Sequence, residues 1–378
     1  MKKALCALIL ALCAVFCACS DHGGIITDPV TETAVTAPDG TETEAASDTA
    51  AETETETAPL PEETDPTDIG IWYSTWYAYT EPGSDSNRYD TWHAWDIDFT
   101  PLLPDGTFGY YDSADENVIR FHLEKMSEAG IDFIIMDQTN NIDVDGGYIN
   151  ERSLAVARYI KTYNDSGARP IRYCSAIGGI QWSQDAKTIE DEAEKLWRRC
   201  CEQDYGGEKY HYYLDGKPLL IVYGDGAEQK WAEYEGDKTY AEKFTVRWAD
   251  NKNTPGYYGW AYTKGPVWNG DVTVVMPGWH NRAGHTPVGR KLGETYKKFW
   301  QAILDAEYRP RLIIINSFNE YAERTAVFPA VSSDKTENGD KWYKDRNKTE
   351  DPYMYWEMTV SYIKQFKEMR KPLYGEQG

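Results

Sequence analysis

Two glutamates close behind a short apolar run could carry acid–base chemistry. The run, Leu312 to Ile315, is rich in β-branched residues and does not alternate, which is typical of a strand buried on both faces. Glu320 and Glu323 are three residues apart, so a helical turn starting at Glu320 would place both carboxyls on one side. Two carboxyls held close together, one of them pushed towards protonation, form the arrangement that cleavage of a glycosidic bond requires. The alternative is that both glutamates cap a helix and face water.

Strand-like apolar runs and amphipathic helical patterns alternate from Ile69 onward, and these elements must position the two carboxyls. Repeated about eight times over some 300 residues, this alternation predicts one α/β catalytic domain, a (β/α)8 TIM barrel. In such a barrel, catalytic groups lie where a strand ends and its loop begins. A doubly wound open sheet is the alternative, but no glycine-rich phosphate fingerprint follows any of the runs. The predicted strands span residues 71–78, 133–136, 170–176, 218–223, 244–248, 257–260, 272–276 and 312–315.

Helical patterns lie between most of these runs. Ser113 to Glu116 has the pattern of a capping box, and Gly130 is predicted to end the helix that follows. Apolar residues recur at helical spacing in the ranges 189–200, 292–303 and 358–366, which predicts three further helices.

The first 19 residues have the features of a signal peptide and are not expected to belong to the fold. Lys2 and Lys3 form a basic start, and the apolar stretch that follows is too short to span a membrane as a stable helix. The stretch ends at Ala18-Cys19, which resembles a bacterial lipoprotein cleavage box, although Phe16 is an imperfect residue for its position. We therefore expect an exported protein, lipidated at Cys19 and anchored to a bacterial membrane. A plain secretory signal cut near Ala18 is the alternative.

Residues 20–68 differ in composition from the rest of the chain. They repeat Thr, Glu, Ala, Asp and Pro, with no Lys or Arg and almost no large apolar side chains. Such a segment cannot bury enough surface to offset its loss of conformational entropy, so a disordered linker is predicted. It holds 14 of the 62 acidic residues and therefore much of the net charge of -23. The acidic balance argues against nucleic acid as a partner, and we expect a monomer whose folded domain spans residues 69–378.

Aromatic side chains are abundant, with 14 Trp and 28 Tyr, and many fall at the predicted carboxyl ends of strands. Indole and phenol faces stack on the apolar C–H face of a sugar ring, while their polar edges reach hydroxyl groups. The set predicts a carbohydrate cleft, although core packing is the simpler explanation for any single tryptophan. Because no two histidines have the i, i+4 spacing of a helical zinc pair, neither a metal nor a cofactor is expected. The predicted substrate-binding residues are Trp76, Tyr77, Trp92, His93, Asp137, Gln138, Arg172, Tyr223, Arg247, Trp248, Trp279, Asn281, Asn319 and Tyr321.

Several stretches resemble glycoside hydrolase family 99 and its neighbours, the family 71/99-like bacterial proteins. WYSTWYAYTEPGSDSNRYDTWHAW, residues 72–95, is similar to the opening strand and long aromatic loop of the family. GYYDSADENVIRFHLEKMSEAGIDFIIMD, residues 109–137, is similar to its next helix and strand. YYLDGKPLLIVYG resembles the fourth-strand motif, and NSFNEYAE resembles the signature Asn-Glu-aromatic-x-Glu. The resemblance covers roughly residues 69–330.

This resemblance implies a TIM barrel and an endo-acting, retaining glycosidase that cuts α-linked mannose or glucose chains. It implies that Glu320 is the base that removes the proton of the 2-hydroxyl group. The oxygen of that hydroxyl then attacks the anomeric carbon, giving an epoxide-like intermediate. Glu323 is implied to be the acid.

The chain departs from the family pattern at three places. Tyr321 and Ala322 stand where the family has Trp-His, and Arg324 stands where it has Gly. Residues 137–139, Asp-Gln-Thr, replace a tryptophan-rich strand end. These departures bear on the identity of the sugar more than on the reaction.

Two other functions compete with hydrolysis. A non-catalytic glycan-binding surface lipoprotein would use the cleft only to hold polysaccharide, and the presence of both Glu320 and Glu323 argues against it. A protein of polysaccharide assembly is the second alternative. An export signal without any nucleotide-sugar motif argues against that function.

Overall fold

The computed structural model describes the greater part of the chain from Thr67 onward. The described residues are 67–79, 90–140, 142, 148–178, 180, 185–202, 207–250, 256–259, 272–280, 288–369 and 371–374. The predicted signal peptide, almost all of the predicted linker, and Asn281 lie outside them. The first strand begins at Asp68, so the fold starts slightly earlier than the sequence predicted.

Parallel strands form the centre of the described fold. The strands are β1 (Asp68–Ser74), β2 (Phe99–Pro101), β3 (Phe133–Gln138), β4 (Arg172–Ile177), β5 (Tyr213–Leu214), β6 (Lys217–Tyr223), β7 (Thr245–Ala249), β8 (Val272–Val275), β9 (Leu312–Ile315) and β10 (Ala330–Ser332). The larger sheet has the order β5-β6-β4-β3-β1-β9-β8, and β7 pairs with β6. All its pairs are parallel except that of the short β5 with β6. β2 and β10 form a separate antiparallel pair.

Seven of the eight predicted strands are present among the described residues. Successive ones pair from β1 through β3, β4 and β6 to β7 and again from β8 to β9, and β9 pairs with β1, whereas no pairing joins β7 to β8 in the described part. Apart from that gap, this is the order that consecutive units of a barrel would produce. The described strands form a curled, mostly parallel sheet, which confirms the α/β class, whereas the closed (β/α)8 barrel stays a prediction. The sixth predicted strand differs. Its described part, residues 256–259, is not a strand, although Tyr258 N donates to Trp248 O of β7 at 2.8 Å.

Helices connect most of these strands. They are α1 (Thr91–Ala94), α2 (Glu116–Ala129), α3 (Tyr148–Asp165), α4 (Lys187–Leu196), α5 (Ala227–Glu233), α6 (Glu294–Asp305) and α7 (Met354–Glu368). The four helices predicted from periodicity are α2, α4, α6 and α7. The first turn of α2 is capped by Asp115, whose side chain accepts from Asn117 N, and not by Ser113 as predicted. Gly130 ends the helix in the left-handed conformation, with φ 85°, as predicted.

The core lies on both faces of the sheet. All four residues of β9 are fully buried, which confirms that the unalternating run is a strand covered on both sides. A second group of buried apolar side chains, from β6 and α4 among others, lies beside the main core. Among the described residues, no helix is long and apolar enough to cross a membrane.

Candidate active site

The two predicted catalytic glutamates lie on a tight turn that leaves the carboxyl end of β9. Glu320 N donates to Ser317 Oγ at 2.9 Å, and Glu320 O accepts from Thr325 N at 3.1 Å and Ala326 N at 3.2 Å. These bonds close the turn on itself, so its side chains project from a fixed backbone. The carboxyl end of a parallel strand is where catalytic groups sit in barrel enzymes.

The Glu320 carboxyl is buried and only weakly supported by hydrogen bonds. Oε1 accepts from Glu323 N at 3.1 Å, and Oε2 lies 3.3 Å from Ser74 Oγ at the end of β1. Burial raises the pKa of Glu320 well above its ordinary value, and the charges of Glu323 and Asp137 raise it further. The backbone N–H groups of Glu323 and Ala322 oppose this pKa shift without cancelling it. Ionisation of this carboxyl is therefore less favourable than that of an exposed glutamate.

Glu323 has a more open environment than Glu320. Its side chain is half-buried, and Oε2 accepts from Trp279 Nε1 at 3.2 Å. Its backbone oxygen accepts from His280 N at 3.0 Å, which ties the turn to the segment after β8. Two neighbouring carboxyls in different environments are a general means of assigning acid and base roles to chemically identical groups.

Asp137 brings a third carboxyl to the same end of the sheet. It is the register partner of Ser74 on the neighbouring strand, and it is buried. Oδ1 accepts from Thr139 N at 3.1 Å and from Thr139 Oγ1 at 2.8 Å, while burial raises the pKa of Asp137. The adjacent Gln138 is also buried, and within the described structure its Oε1 has no hydrogen-bond partner. The structure thus brings Asp137 near Glu320, while Gln138 follows it at the end of the same strand.

The predicted aromatic residues of the first strand and its loop are buried and pack against one another, and Tyr77 contacts the turn. Trp76, Tyr77 and Trp92 are 3%, 0% and 1% exposed. Tyr77 stacks on Trp92 with ring centroids 4.1 Å apart, and Trp76 packs against Trp95 at 4.4 Å. Trp92 Nε1 donates to a backbone oxygen, Tyr111 O, at 2.8 Å. This packing does not support the prediction that Trp76 and Trp92 offer ring faces to a sugar.

Two predicted residues of the signature are likewise occupied by the protein. Tyr321 is 1% exposed, and its hydroxyl donates to Phe328 O at 3.2 Å. Its N–H donates to Tyr77 Oη at 3.1 Å, and Tyr77 Oη donates to Asn319 O at 2.6 Å. Asn319 is fully buried. These side chains therefore hold the turn in place instead of lining an open surface.

The two predicted arginines contact groups at the opposite end of the sheet. Arg172 is the first residue of β4, and its Nε donates to Glu208 O at 2.8 Å. The Arg247 guanidinium bonds Asp215 at 2.6 Å, in the turn that precedes β6. In a parallel sheet the amino ends of all strands lie on one edge and the carboxyl ends on the other. The contacts of both arginines are therefore at the edge opposite Glu320, and this placement does not support their predicted role in substrate binding.

The remaining predicted residues have mixed positions. Tyr223 ends β6 and is half-buried at the carboxyl end of the sheet, as predicted. Trp248 packs against the second apolar group beside α4. His93 is exposed on α1 and bonds Asp90 at 2.8 Å. Trp279 is brought to Glu323, whereas Asn281 lies outside the described residues.

A buried ion pair beneath the turn was not found by sequence reasoning. Arg324 has the left-handed φ of 58° and is 3% exposed. Its guanidinium lies 2.8 Å from Asp98 Oδ1 and 3.6 Å from Asp340 Oδ2. The guanidinium of Arg290 donates to Arg324 O at 2.7 Å. The sequence signal was the arginine at a position where the family resemblance has glycine, since a left-handed backbone there suits glycine best.

His280, Glu337 and Asp340 are the one group among the described residues whose donor atoms could surround a metal ion, with all three atoms within 4.8 Å of one another. Asp340 Oδ2 is already bonded to His280 Nδ1 at 2.9 Å and faces the Arg324 guanidinium. That guanidinium supplies positive charge where a metal would have to bind, so we assign no metal to the group.

Comparison with known proteins gives similarity in structure but not in sequence. No protein-family model matches the chain, and the search of curated proteins finds no match. A glycoside hydrolase family 99 endo-α-mannosidase from Bacteroides thetaiotaomicron, in complex with bis-tris propane, aligns with a TM-score of 0.55. It is 18% identical, and the alignment covers 80% of this chain and 97% of that chain. A second structure of an endo-α-mannosidase of this family from the same organism aligns with a TM-score of 0.54 and 17% identity. That alignment covers 81% of this chain and 100% of the other.

This chain shares the fold of those enzymes. The resemblance that the sequence motifs indicated therefore extends to the structure, over most of both chains. At this level of identity the similarity establishes the fold alone.

Proposed function

We propose that this protein is a retaining, endo-acting glycoside hydrolase that cleaves α-linked mannose- or glucose-containing glycans. The observation that carries the proposal is the neighbouring carboxyl pair Glu320 and Glu323 on the turn after β9, where Glu320 Oε1 accepts from Glu323 N at 3.1 Å. The pair stands at the carboxyl end of a parallel sheet, in a fold shared with family 99 endo-α-mannosidases. Fold alone does not define function, so the carboxyl pair is the essential part of the argument.

The first step uses both carboxyls at once. The step requires the 2-oxygen and the leaving oxygen to lie on opposite faces of the ring, as they do when the sugar that reacts is an α-linked mannose and not an α-linked glucose. The ionised Glu320 takes the proton of the 2-hydroxyl, and the freed oxygen attacks the anomeric carbon of the same ring. The bond between that carbon and the leaving oxygen breaks, and the protonated Glu323 gives its proton to the leaving oxygen. The products are a shortened glycan and an epoxide-like sugar, with the proton now on Glu320.

The second step reverses these roles. Glu323, now ionised, takes a proton from water, whose oxygen opens the epoxide-like ring at the anomeric carbon. Glu320 returns its proton to the oxygen at position 2. Both carboxyls recover their starting protonation states, and two displacements at the same carbon retain its configuration.

The raised pKa belongs to Glu320, the proposed base, whereas the sequence predicted that the carboxyl pushed towards protonation would be the acid, Glu323. A raised pKa is compatible with a base that acts on a weakly acidic hydroxyl. A carboxylate whose pKa is raised towards the working pH binds a transferred proton more strongly than an ordinary carboxylate does. The requirement is that Glu320 be ionised before substrate reacts. Activity should therefore fall on the acid side of the pH profile, at a pH above the ordinary glutamate pKa.

The substrate class rests on the endo-α-mannosidase neighbours and on the family resemblance. Asp137 and Gln138 stand where that family has a tryptophan-rich strand end, so we expect polar contacts to sugar hydroxyls in place of stacking there. The test is hydrolysis of a panel of α-mannans, α-glucans and host glycans by the purified protein. Release of new reducing ends by the wild type but not by Glu320→Gln supports the proposal. Binding without cleavage would indicate a glycan-binding protein instead.

We further propose that the enzyme works at a bacterial membrane. Lipidation of Cys19 would anchor it, and the acidic linker of residues 20–68 would hold a monomeric domain away from the lipid surface. Its partners would then be an oligo- or polysaccharide and the membrane that holds the anchor. The supporting observation is the composition of the first 68 residues.

A further inference from the structure

The Asn319 side chain continues the pairing between β1 and the chain that leaves β9, after the backbone bond from Phe318 N to Trp72 O at 2.8 Å. The register between the two strands ends at the pair Ile71 and Ile315. Further along β1, Ser74 N donates to Asn319 Oδ1 at 2.8 Å, and Asn319 Nδ2 donates to Ser74 O at 3.0 Å. The side-chain amide therefore replaces a peptide group and clamps the last residue of β1 to the catalytic turn.

This clamp uses most of the hydrogen-bonding capacity of Asn319. The same Nδ2 also donates to Tyr111 Oη at 3.0 Å. An asparagine side chain offers two donor hydrogens and an oxygen with two acceptor sites, so three of its four hydrogen bonds are made within the protein. Asn319 is fully buried as well. Within the described structure its side chain bonds Ser74 and Tyr111, and its contact with a sugar stays a prediction.

Ser74 is the residue through which the clamp reaches the reacting carboxyl. It is 1% exposed, and its hydroxyl lies 3.3 Å from Glu320 Oε2. The other carboxyl oxygen accepts from Glu323 N. The Ser74 hydroxyl is thus the side-chain donor on the second oxygen, and a donor to a carboxylate favours its ionised form.

We propose that Ser74, held in place by Asn319, is a positioning residue that sets the Glu320 carboxyl for proton abstraction from the substrate. This inference rests on the proposed function and deepens it. The other titratable groups that act on Glu320 from the described elements are Glu323 on the same turn and Asp137 at the end of β3. The phenols of Tyr77 and Tyr111 also face it, and burial keeps both neutral by raising their pKa.

The test is the pH dependence of kcat/KM in Ser74→Ala. Loss of the donor should make Glu320 harder to ionise. The acid limb, meaning the fall of kcat/KM on the acid side of the pH profile, should then move to higher pH by roughly 0.5–1 unit, the effect of one hydrogen bond. Ser74→Thr restores the hydroxyl and should return the limb towards its original position.

Thr75→Val is the matched control. Thr75 is the next residue, is fully buried, and bonds Ser153 Oγ at 2.7 Å instead of Glu320. Its loss should lower stability without moving the acid limb. A purely structural role for Ser74 would give the same result in both variants.

The outcomes separate this inference from the proposed function. An unshifted limb in Ser74→Ala, with Glu320→Gln inactive, overturns the positioning role and leaves hydrolysis standing. If the wild type cleaves no glycan, the proposed function fails, and ionisation of Glu320 is read directly by infrared spectroscopy. The full chain is labelled with carboxyl-¹³C glutamate, and the Glu320→Gln spectrum is subtracted. A higher titration midpoint in Ser74→Ala then supports the effect of Ser74 on Glu320, and an equal midpoint overturns it.

Discussion

Replacing Glu320 by Gln should stabilise the protein while abolishing its activity. The carboxyl is 5% exposed, and burial together with the charges of Glu323 and Asp137 raises its folded-state pKa. Because its folded-state pKa is raised, the protonated Glu320 carboxyl contributes to the free energy of unfolding fully at pH values below the ordinary glutamate pKa. That contribution is lost as the pH rises from there through the folded-state pKa. Gln keeps the shape and cannot ionise, so this loss disappears.

The structure also indicates why Gln fits the site. Its Oε1 can accept from Glu323 N, as the carboxyl does, and its Nε2 can donate to Ser74 Oγ. At a pH above both the folded-state and the unfolded-state pKa, each unit of difference between them lowers the free energy of unfolding by about 1.4 kcal/mol. Stabilising substitutions in natural proteins commonly reach about 0.5–2 kcal/mol. We therefore expect a gain of about 1–2 kcal/mol at pH 8 and none at pH 4.

Urea unfolding of wild type and Glu320→Gln at several pH values measures this difference. Glu190→Gln is a matched control, because Glu190 is also 5% exposed but accepts two backbone N–H groups, Tyr240 N and Ala241 N, both at 2.8 Å. The side-chain NH2 of Gln at this position would face one of those two backbone N–H groups, so that neither could accept a hydrogen bond. The substitution should therefore lower the free energy of unfolding by about 1–3 kcal/mol. A Glu320→Gln variant that is less stable than wild type at pH 8, or whose gain does not grow with pH, would refute the reasoning.

Three further predictions address the turn, the acid and the anchor. Arg324→Ala leaves Asp98 buried without its guanidinium and should cost about 3–5 kcal/mol in thermal or urea unfolding. Lys335→Ala, which removes an exposed ion pair, should change nothing measurable, and equal losses in the two variants would contradict the argument. Glu323→Gln should regain much of its activity on a substrate with an activated leaving group, because that group leaves without being protonated. Glu320→Gln should not recover on the same substrate, and recovery of both variants would reject the assigned roles. Cys19→Ala should release the protein from membranes, and unchanged partitioning would refute lipidation.

The strand and helix pattern could be predicted because it depends on local composition. The unalternating run of β9 is fully buried as expected, and Gly130 ends α2 where a left-handed residue is required. The boundaries were less exact. Ser113 had the capping pattern, yet Asp115 caps the helix, since an aspartate nearer the first turn offers its side-chain oxygen to Asn117 N.

The position of Glu320 and Glu323 at the carboxyl end of a strand could be predicted from the sequence, but the surroundings of the pair could not. Trp76 and Trp92 were expected to contact sugar, and whether an indole faces a cleft or the core depends on what packs against it in three dimensions. Arg172 illustrates a second limit, because only the strand register shows which end of the sheet a residue occupies.

The residues that support the turn were missed because their partners are distant in sequence. Ser74 lies 246 residues from Glu320, and Arg324 lies 226 residues from Asp98. Nothing in the local pattern around Ser74 indicates either partner. Such contacts become visible only once β1 and β9 are known to be neighbours.

The central claim is that Glu320 and Glu323 together hydrolyse an α-linked glycan with retention. The most direct measurement follows cleavage of an α-linked mannose or glucose oligosaccharide by ¹H NMR, with the anomeric form of the first product recorded before mutarotation. We predict that the wild type releases the α anomer and that each Gln variant is slower by about 10²–10⁴-fold or more. Release of the β anomer, or full activity in both Gln variants, would contradict the account.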